Sequence, residues 1–163
     1  MTMQSLGLGI VALLLIIAAI SDARYYRIPN WLNAVIALTF VVSQLSQSAS
    51  GTEWIVHFGA AALMLLAGFI LFSLNLFGGG DVKLIAALAL WTGFTALPRF
   101  ILLTTLAGGV LALLLLILRW LRAGRGNKID SRVPYGIAIA LAGLDFCMQQ
   151  QGIDLQLLNL MHL

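Results

Sequence analysis

The sequence predicts an all-α protein, a polytopic membrane helix bundle of about six transmembrane helices that forms one membrane-embedded domain over residues 1–163. The first observation behind this prediction is the composition. The chain is 61% hydrophobic and 9% charged, with a mean hydropathy of +1.03, whereas soluble domains carry about 25% charged residues. So few charges are not enough to cover a water-exposed surface, which excludes a soluble globular protein.

The second observation is a series of six apolar runs. A helix needs roughly 20 apolar residues to cross a bilayer. In chain order, predicted spans 1 to 6 cover approximately Ser5–Ser21, Trp31–Ser46, Trp54–Phe77, Val82–Leu97, Phe100–Leu121 and Pro134–Gln149. The last stretch, "IDLQLLNLMHL" at residues 153–163, is too short to cross. We expect it to lie at the membrane interface.

Residues at the ends of the first three spans support their boundaries. Span 1 ends in "SDARYYR", where the charged residues begin. Pro29 and Asn30 are favourable helix-start residues for span 2. Trp31 and Trp54 lie at the starts of spans 2 and 3, where the aromatic belts of membrane proteins form.

Span 4 is short for a bilayer crossing. Its about 16 residues give roughly 24 Å at 1.5 Å rise, against a hydrocarbon core of about 30 Å. The preceding stretch Gly78–Asp81 is therefore drawn to the membrane surface or slightly below it. Trp120 marks the end of span 5, and Pro134 suits the first turn of span 6.

Basic residues are distributed unequally between the two sides of this bundle. The loops after spans 1, 3 and 5 contain or adjoin Arg24, Arg27, Lys83, Arg119, Arg122, Arg125, Lys128 and Arg132. The opposite side has only Arg99. By the positive-inside rule, the odd-numbered loops are cytoplasmic and both termini are outside. The net charge of +3 therefore reflects orientation, and we expect no nucleic-acid partner.

Three of the six acidic residues fall on the cytoplasmic side of the bundle: Asp22, Asp81 and Asp130. Asp130 lies in the loop after span 5, whereas the other two lie next to the glycine run and the end of span 1. Asp22 closes span 1 and Asp81 precedes span 4, so two crossings separate them and both lie at the same membrane face. Asp81 could be an N-cap residue for span 4, and Asp22 could be an ordinary flanking charge. However, Asp22 ends a helix, where the helix dipole disfavours an anion.

The glycine run before Asp81 favours a functional site. Three consecutive glycines, Gly78 to Gly80, exceed what a turn needs, and they allow close approach by another chain or a ligand. Irregular backbone at membrane depth must be buried in protein or line a water-filled cavity. Two carboxylates in such a cavity indicate a site.

Two close carboxylates can carry out the chemistry of an aspartic protease. They repel each other, so they tend to share one proton. The charged carboxylate can then take a proton from water while the protonated one polarises a carbonyl group. Lys83 does not face Asp81, because residues two apart on a helix point in different directions. We expect Lys83 to anchor span 4 at the headgroups, with electrostatic tuning of the pair as the alternative.

Three motifs resemble the type IV prepilin peptidases, which are intramembrane GxGD aspartic proteases. "GGGDVK" (Gly78–Lys83) resembles the GxGDxK motif of this family, "D…RIPN" (Asp22 to Asn30) is similar to its first catalytic element, and "VPYG" (Val133–Gly136) resembles the P-[FY]-G of its last helix. The resemblance implies that Asp22 and Asp81 are the catalytic pair, with neither a metal nor a cofactor. It implies substrate-binding or site-shaping roles for Gly78, Gly79, Gly80, Lys83, Pro29, Asn30, Pro134, Tyr135 and Gly136.

The resemblance also implies a substrate and a location. The expected reaction is cleavage of a basic leader from prepilin-like membrane proteins, at the cytoplasmic face of the bacterial inner membrane. The expected partners are this substrate, the lipid bilayer, and pilus or secretion assembly proteins. Longer family members carry a loop insert with paired CxxC motifs that is linked to N-methylation. Here that loop is only "DARYYRIPN" and the chain has one cysteine, Cys147, so the chain resembles the short Flp/Tad-type form.

Two other functions remain open from the sequence. A small proton or ion transporter should carry ionisable residues through the depth of the bundle, whereas the span interiors here are nearly free of them. His57 and Asn75 interrupt span 3 near its opposite ends, and we interpret both as unrelated interface or packing residues. A non-catalytic membrane subunit of a pilus or secretion assembly would tolerate the loss of either carboxylate.

Overall fold

Helices are the only regular secondary structure in the computed structural model, which describes residues 3–47, 50–122 and 133–161. The helices are α1 (Met3–Tyr25), α2 (Asn30–Ser46), α3 (Gly51–Ser73), α4 (Gly79–Arg122) and α5 (Tyr135–Met161). The predicted all-α class is confirmed. The number of continuous helices is five over the described residues, and the difference from the predicted six lies in α4.

The described helices have the length and surface of a membrane bundle. Three of them are long and apolar enough to cross a bilayer: Met3–Tyr25, Gly51–Ser73 and Gly79–Leu121. The apolar helix Asn30–Ser46 is shorter. Their outer faces expose large apolar side chains, including Leu13 at 64%. Exposed apolar patches of this extent are rare on soluble monomers and suit contact with lipid.

Helix α4 is broken in the middle and folds back on itself. Forty-four straight residues would extend about 66 Å, more than twice the thickness of the bilayer core. At Gly93 the backbone has φ 54° and ψ −171°, a conformation almost restricted to glycine. Gly68 of α3, Ile85 and Ile101 line one cavity. Residues before and after the break therefore lie side by side.

The two arms of α4, residues 79–92 and 94–122, correspond to predicted spans 4 and 5. The prediction placed the boundary between Leu97 and Phe100, next to Pro98, and this was wrong. Pro98 lies inside the second arm, and the break is at Gly93. Pro98 is the fifth residue of this arm, and it has no N–H to donate to the carbonyl oxygen of Phe94.

His57 of α3 stabilises the break at Gly93. Its Nδ1 lies 2.7 Å from the carbonyl oxygen of Leu90, and because a carbonyl can only accept, Nδ1 carries the proton. A break in a helix deprives the carbonyls of the preceding turn of their usual donors. His57 replaces one such donor, so the sequence-based interpretation of His57 as an unrelated packing residue was incomplete.

Asn75 ends α3 in a Schellman motif. It has φ 57°. Its N–H donates to Phe72 O at 2.9 Å, and the Leu76 N–H donates to Leu71 O at 2.9 Å. This is the 5→2 and 6→1 pairing of the motif, with asparagine in the left-handed position that glycine usually fills. Asn75 therefore stops α3 and begins the turn towards Gly78, a role that its interpretation as a packing residue missed.

Two other predicted boundaries differ from the structure. Helix α4 begins at Gly79 rather than Val82, so Gly78 occupies the N-cap position and Asp81 lies in the first turn. The alternative interpretation of Asp81 as an N-cap residue was therefore wrong. Helix α5 continues to Met161 rather than ending near Gln149. Its backbone thus includes most of the segment that was expected at the interface.

Candidate active site

The chain reverses sharply after Asp22. Tyr26 adopts φ 51°, and its N–H donates to the carbonyl oxygen of Asp22 at 2.9 Å, which is a left-handed helix stop. The Ser21 hydroxyl donates to the carbonyl oxygen of Arg27 at 2.7 Å. The chain then turns inward, with Ile28 8% exposed.

Pro29 and Asn30 start α2 as predicted. Pro29 is the N-cap residue with extended φ −61° and ψ 137°, and Asn30 is the first helical residue. The short connection at residues 26–29 therefore places the start of α2 directly beside the end of α1.

The glycine run lets the second loop press against the first. A Cβ on Gly80 would lie 3.2 Å from Ile28 Cβ and 3.4 Å from Ile28 N, closer than an ordinary side chain allows without displacement. A close approach was predicted for another chain or a ligand, whereas in the structure the chain's own loop approaches Gly80. This contact joins the segment after Asp22 to the segment that carries Asp81.

Asp81 lies in the first turn of α4 and reaches back towards its start. A Cβ on Gly78 would lie 2.8 Å from Asp81 Oδ2, and the backbone of Gly78 hydrogen-bonds to this carboxylate. An acidic residue three positions after the N-cap commonly binds the N-cap backbone N–H. Asp81 is half-buried, and its carboxylate is close enough to that of Asp22 for a direct charge–charge interaction.

Asp22 is buried, at 5% exposure, and it is bound by the first turn of α5. The backbone N–H of Gly136 donates to Asp22 Oδ2 at 2.7 Å. First-turn N–H groups lack intrahelical partners and carry partial positive charge, so they favour an anion. The start of α5 therefore offsets the unfavourable dipole of α1 at Asp22.

Glycine is the residue that fits at position 136. A Cβ there would lie 2.8 Å from Asp22 Oδ2 and 2.9 Å from Asp22 Cβ and Cγ. Any other side chain would push α5 away from Asp22. The "VPYG" motif therefore has a structural reason, since its last residue allows the backbone of α5 to reach the carboxylate.

Both aspartates line one polar cavity of about 560 Å³. This volume is in the range of small-molecule and peptide side-chain sites. The lining residues are Ser21, Asp22, Tyr25, Tyr26, Arg27, Ile28, Pro29, Asn30, Gly78, Gly79, Gly80 and Asp81. The sequence analysis assigned no site role to Ser21, Tyr25, Tyr26, Arg27 or Ile28. Arg27 and Ile28 belong to the quoted "D…RIPN" motif, and the other three were indicated only by their position beside Asp22.

Four predicted site residues lie beside the cavity rather than in its wall. The Lys83 amine donates to Asn30 Oδ1 at 2.9 Å, so Lys83 has a protein partner in addition to any contact with headgroups. The Tyr135 ring stacks on Phe77 with centroids 5.2 Å apart. Pro134 is buried directly before α5, and Gly136 holds Asp22. Among the described residues, no three His, Cys, Asp or Glu side chains lie together as a metal-binding group.

Comparisons with known proteins match this region of the chain. A sequence model described as "Type IV leader peptidase family" matches residues 9–113, which include both aspartates. The prepilin leader peptidase/N-methyltransferase of Aeromonas salmonicida (strain A449) is 40% identical over 67 residues, which are 40% of this chain and 21% of that protein. The protein of the same name from Pseudomonas aeruginosa is 39% identical over 66 residues, covering the same shares.

A more distant relative of the same name, from Legionella pneumophila, is 31% identical over 67 residues, or 41% of this chain and 21% of that protein. The chain thus matches about a fifth of the length of these curated relatives. No solved structure gives a significant match. The family match covers well over half of the chain, and it confirms the resemblance that the motifs around Asp22 and Asp81 indicated. The chain belongs to the type IV leader peptidase family.

Proposed function

We propose that this protein is a membrane aspartic endopeptidase that removes the N-terminal leader of prepilin-like proteins at the cytoplasmic face of the bacterial inner membrane. The observation that carries the proposal is the meeting of Asp22 and Asp81, from two different helices, in one polar cavity. The substrate class rests on the family and on the relatives named prepilin leader peptidase/N-methyltransferase.

The carboxylate pair supplies an acid and a base for peptide hydrolysis. Because two adjacent carboxylates do not ionise together easily, the pair holds one proton and titrates as a unit. The charged carboxylate takes a proton from water, and the water oxygen bonds to the scissile carbonyl carbon. The protonated carboxylate donates to the carbonyl oxygen. The C–N bond then breaks as the amine takes up a proton from the pair, and a hydroxyl of the tetrahedral intermediate returns its proton to the pair as the C=O bond re-forms. One proton is then shared again.

The polar cavity also lies at the end of the bundle that suits a cytoplasmic site. Arg24, Arg27 and Lys83 are exposed around this end. The opposite end contains Arg99, whose charge is paired with Asp145 at 3.3 Å. This asymmetry favours a cytoplasmic cavity. The predicted cytoplasmic residues Arg125, Lys128, Asp130 and Arg132 lie outside the described residues.

Cysteine labelling tests this orientation. In a Cys147→Ala background, Thr52→Cys at the exposed start of α3 should react with a membrane-impermeant thiol reagent in intact cells. Ala23→Cys beside Asp22 should react only after the cells are opened. The reason is that the two positions lie at opposite ends of the bundle. Labelling of Ala23→Cys in intact cells, with Thr52→Cys protected, would reverse the proposed orientation of the cavity.

Mass analysis of a processed substrate tests the reaction. Purified protein mixed with a prepilin-like substrate and S-adenosylmethionine should release the leader and leave an unmethylated new N-terminus. The connection between α1 and α2 spans only residues 26–29, too few to form a cofactor-binding insert. An intact substrate would favour a non-catalytic assembly subunit. A methylated product from the pure protein would contradict the short-form assignment but not the peptidase activity.

A further inference from the structure

We propose that Lys83 and Asn30 are positioning residues that hold Asp81 at its working separation from Asp22. We call their hydrogen bond the Lys83–Asn30 clamp. The inference rests on the proposed peptidase function, and it assigns to these two residues a task other than binding substrate or lipid.

The two helices that carry the aspartates are not direct backbone neighbours. Over the described residues, the backbone of α1 lies close to α2 and α5, whereas that of α4 lies close to α2, α3 and α5. Trp91 of α4 does pack against Gly7 of α1, but this contact is far along α1 from Asp22. The spacing between Asp22 and Asp81 is therefore set indirectly, through the starts of α2 and α5. On the α5 side, the Gly136 N–H fixes Asp22. A second set of contacts must fix Asp81 relative to the loop that follows Asp22.

The start of α2 supplies these contacts on both sides of Asp81. Before Asp81, Gly80 packs against the backbone of Ile28. After Asp81, the Lys83 amine donates to Asn30 Oδ1 at 2.9 Å, across 53 positions of sequence. The first contact is van der Waals packing and can slide. The second is directional, since a hydrogen bond weakens steeply when its angle is distorted, so it fixes the rotation of the first turn of α4.

The geometry argues against a direct catalytic role for Lys83. Residues two apart on a helix do not face each other, so the Lys83 side chain points away from Asp81. Its amine is exposed and bound to Asn30, which itself lines the cavity. Lys83 therefore affects the carboxylate pair through backbone position, and the neutral residue Asn30 should matter as much as the charged one.

Steady-state kinetics on a double-mutant cycle tests the clamp. Lys83→Met and Asn30→Leu should each lower kcat about 10- to 100-fold, because displacement of a reacting group by 1 Å can cost about 100-fold. KM should change by less than about threefold, since the clamp acts on the position of Asp81 and not on the substrate. The double variant should be no worse than either single variant, because both changes break the same contact.

One further variant serves as a control for the clamp. Arg24 is an exposed cation at the same end of the bundle, and its side chain does not line the cavity. Arg24→Met should therefore leave cleavage unchanged. Thermal unfolding in detergent should confirm that the single variants remain folded.

Other results would overturn the clamp. If Asn30→Leu leaves kcat unchanged while Lys83→Met lowers it, the lysine charge or a headgroup contact matters instead of the clamp. A raised KM with unchanged kcat would show a substrate contact, and additive losses in the double variant would show independent roles. If the unmodified protein removes no leader, the proposed function fails. If the unmodified protein removes the leader and Lys83→Met removes it at the same rate, only the inference about the clamp fails.

Discussion

Asp22→Asn and Asp81→Asn should each reduce leader cleavage about 100- to 10,000-fold, while the protein still inserts and accumulates in the membrane. General acid–base catalysis contributes typically about 100- to 10,000-fold per group, and an amide can neither take a proton from water nor return one as a carboxylic acid does. The measurement is the fraction of substrate processed over time, read by mass analysis of its N-terminus.

Asparagine is the informative replacement because both aspartates also have structural partners. Asp22 accepts the Gly136 N–H, and Asp81 accepts from the Gly78 backbone. An amide oxygen can accept both hydrogen bonds in the same place. Asp22→Ala, by contrast, would leave a buried donor at the start of α5 unpaired, which costs about 1–3 kcal/mol. Loss of cleavage in Asp22→Asn with normal thermal unfolding would therefore separate chemistry from helix capping.

Asp145→Asn is the matched control for these variants. It makes the same chemical change at the opposite end of the bundle, where Asp145 binds Arg99 and Gln149, and it should leave cleavage near normal. The double variant of Asp22 and Asp81 should be about as inactive as each single one, because groups that act as a unit do not lose activity additively. Near-normal processing by either single asparagine variant would contradict the aspartic mechanism and favour an assembly subunit.

The sequence located the two aspartates without contact information. Two predicted membrane crossings separate Asp22 from Asp81, and this even number predicted that both lie at the same membrane face. The apolar runs predicted the helices that carry them. These features are local or depend only on counting. The glycine run likewise predicted a close approach, although not its partner Ile28. Local chemistry was therefore enough to identify the region of the candidate site.

Features set by distant contacts could not be predicted. The partner of Asp22 is Gly136, 114 positions away, and no local pattern relates the two residues. The break at Gly93 depends on His57 supplying a donor to Leu90 O. From sequence, the boundary between the two spans was placed between Leu97 and Phe100. The contact between Lys83 and Asn30 was missed for the same reason, although both residues had been singled out separately.

Gly136→Ala should impair both cleavage and stability, although it adds only one methyl group. That methyl carbon would lie 2.8 Å from Asp22 Oδ2 and 2.9 Å from Asp22 Cβ. Asp22 is buried and cannot swing into water without leaving its cavity. The start of α5 must therefore move away, which breaks the Gly136 N–H bond to the carboxylate and shifts Asp22 relative to Asp81.

The expected result for Gly136→Ala is a loss of cleavage of about 100-fold, since a shift of 1 Å at a reacting group can cost this much. Overpacking of this kind also destabilises by about 1–3 kcal/mol. The control is Gly109→Ala in α4, where a new Cβ meets nothing within 4 Å and alanine is the better helix former. Gly136→Ala should cleave the substrate more slowly and unfold at a lower temperature than Gly109→Ala. Equal, near-normal behaviour of both would mean that α5 does not hold Asp22, and the site would then have to be assembled by the contacts of α2 alone.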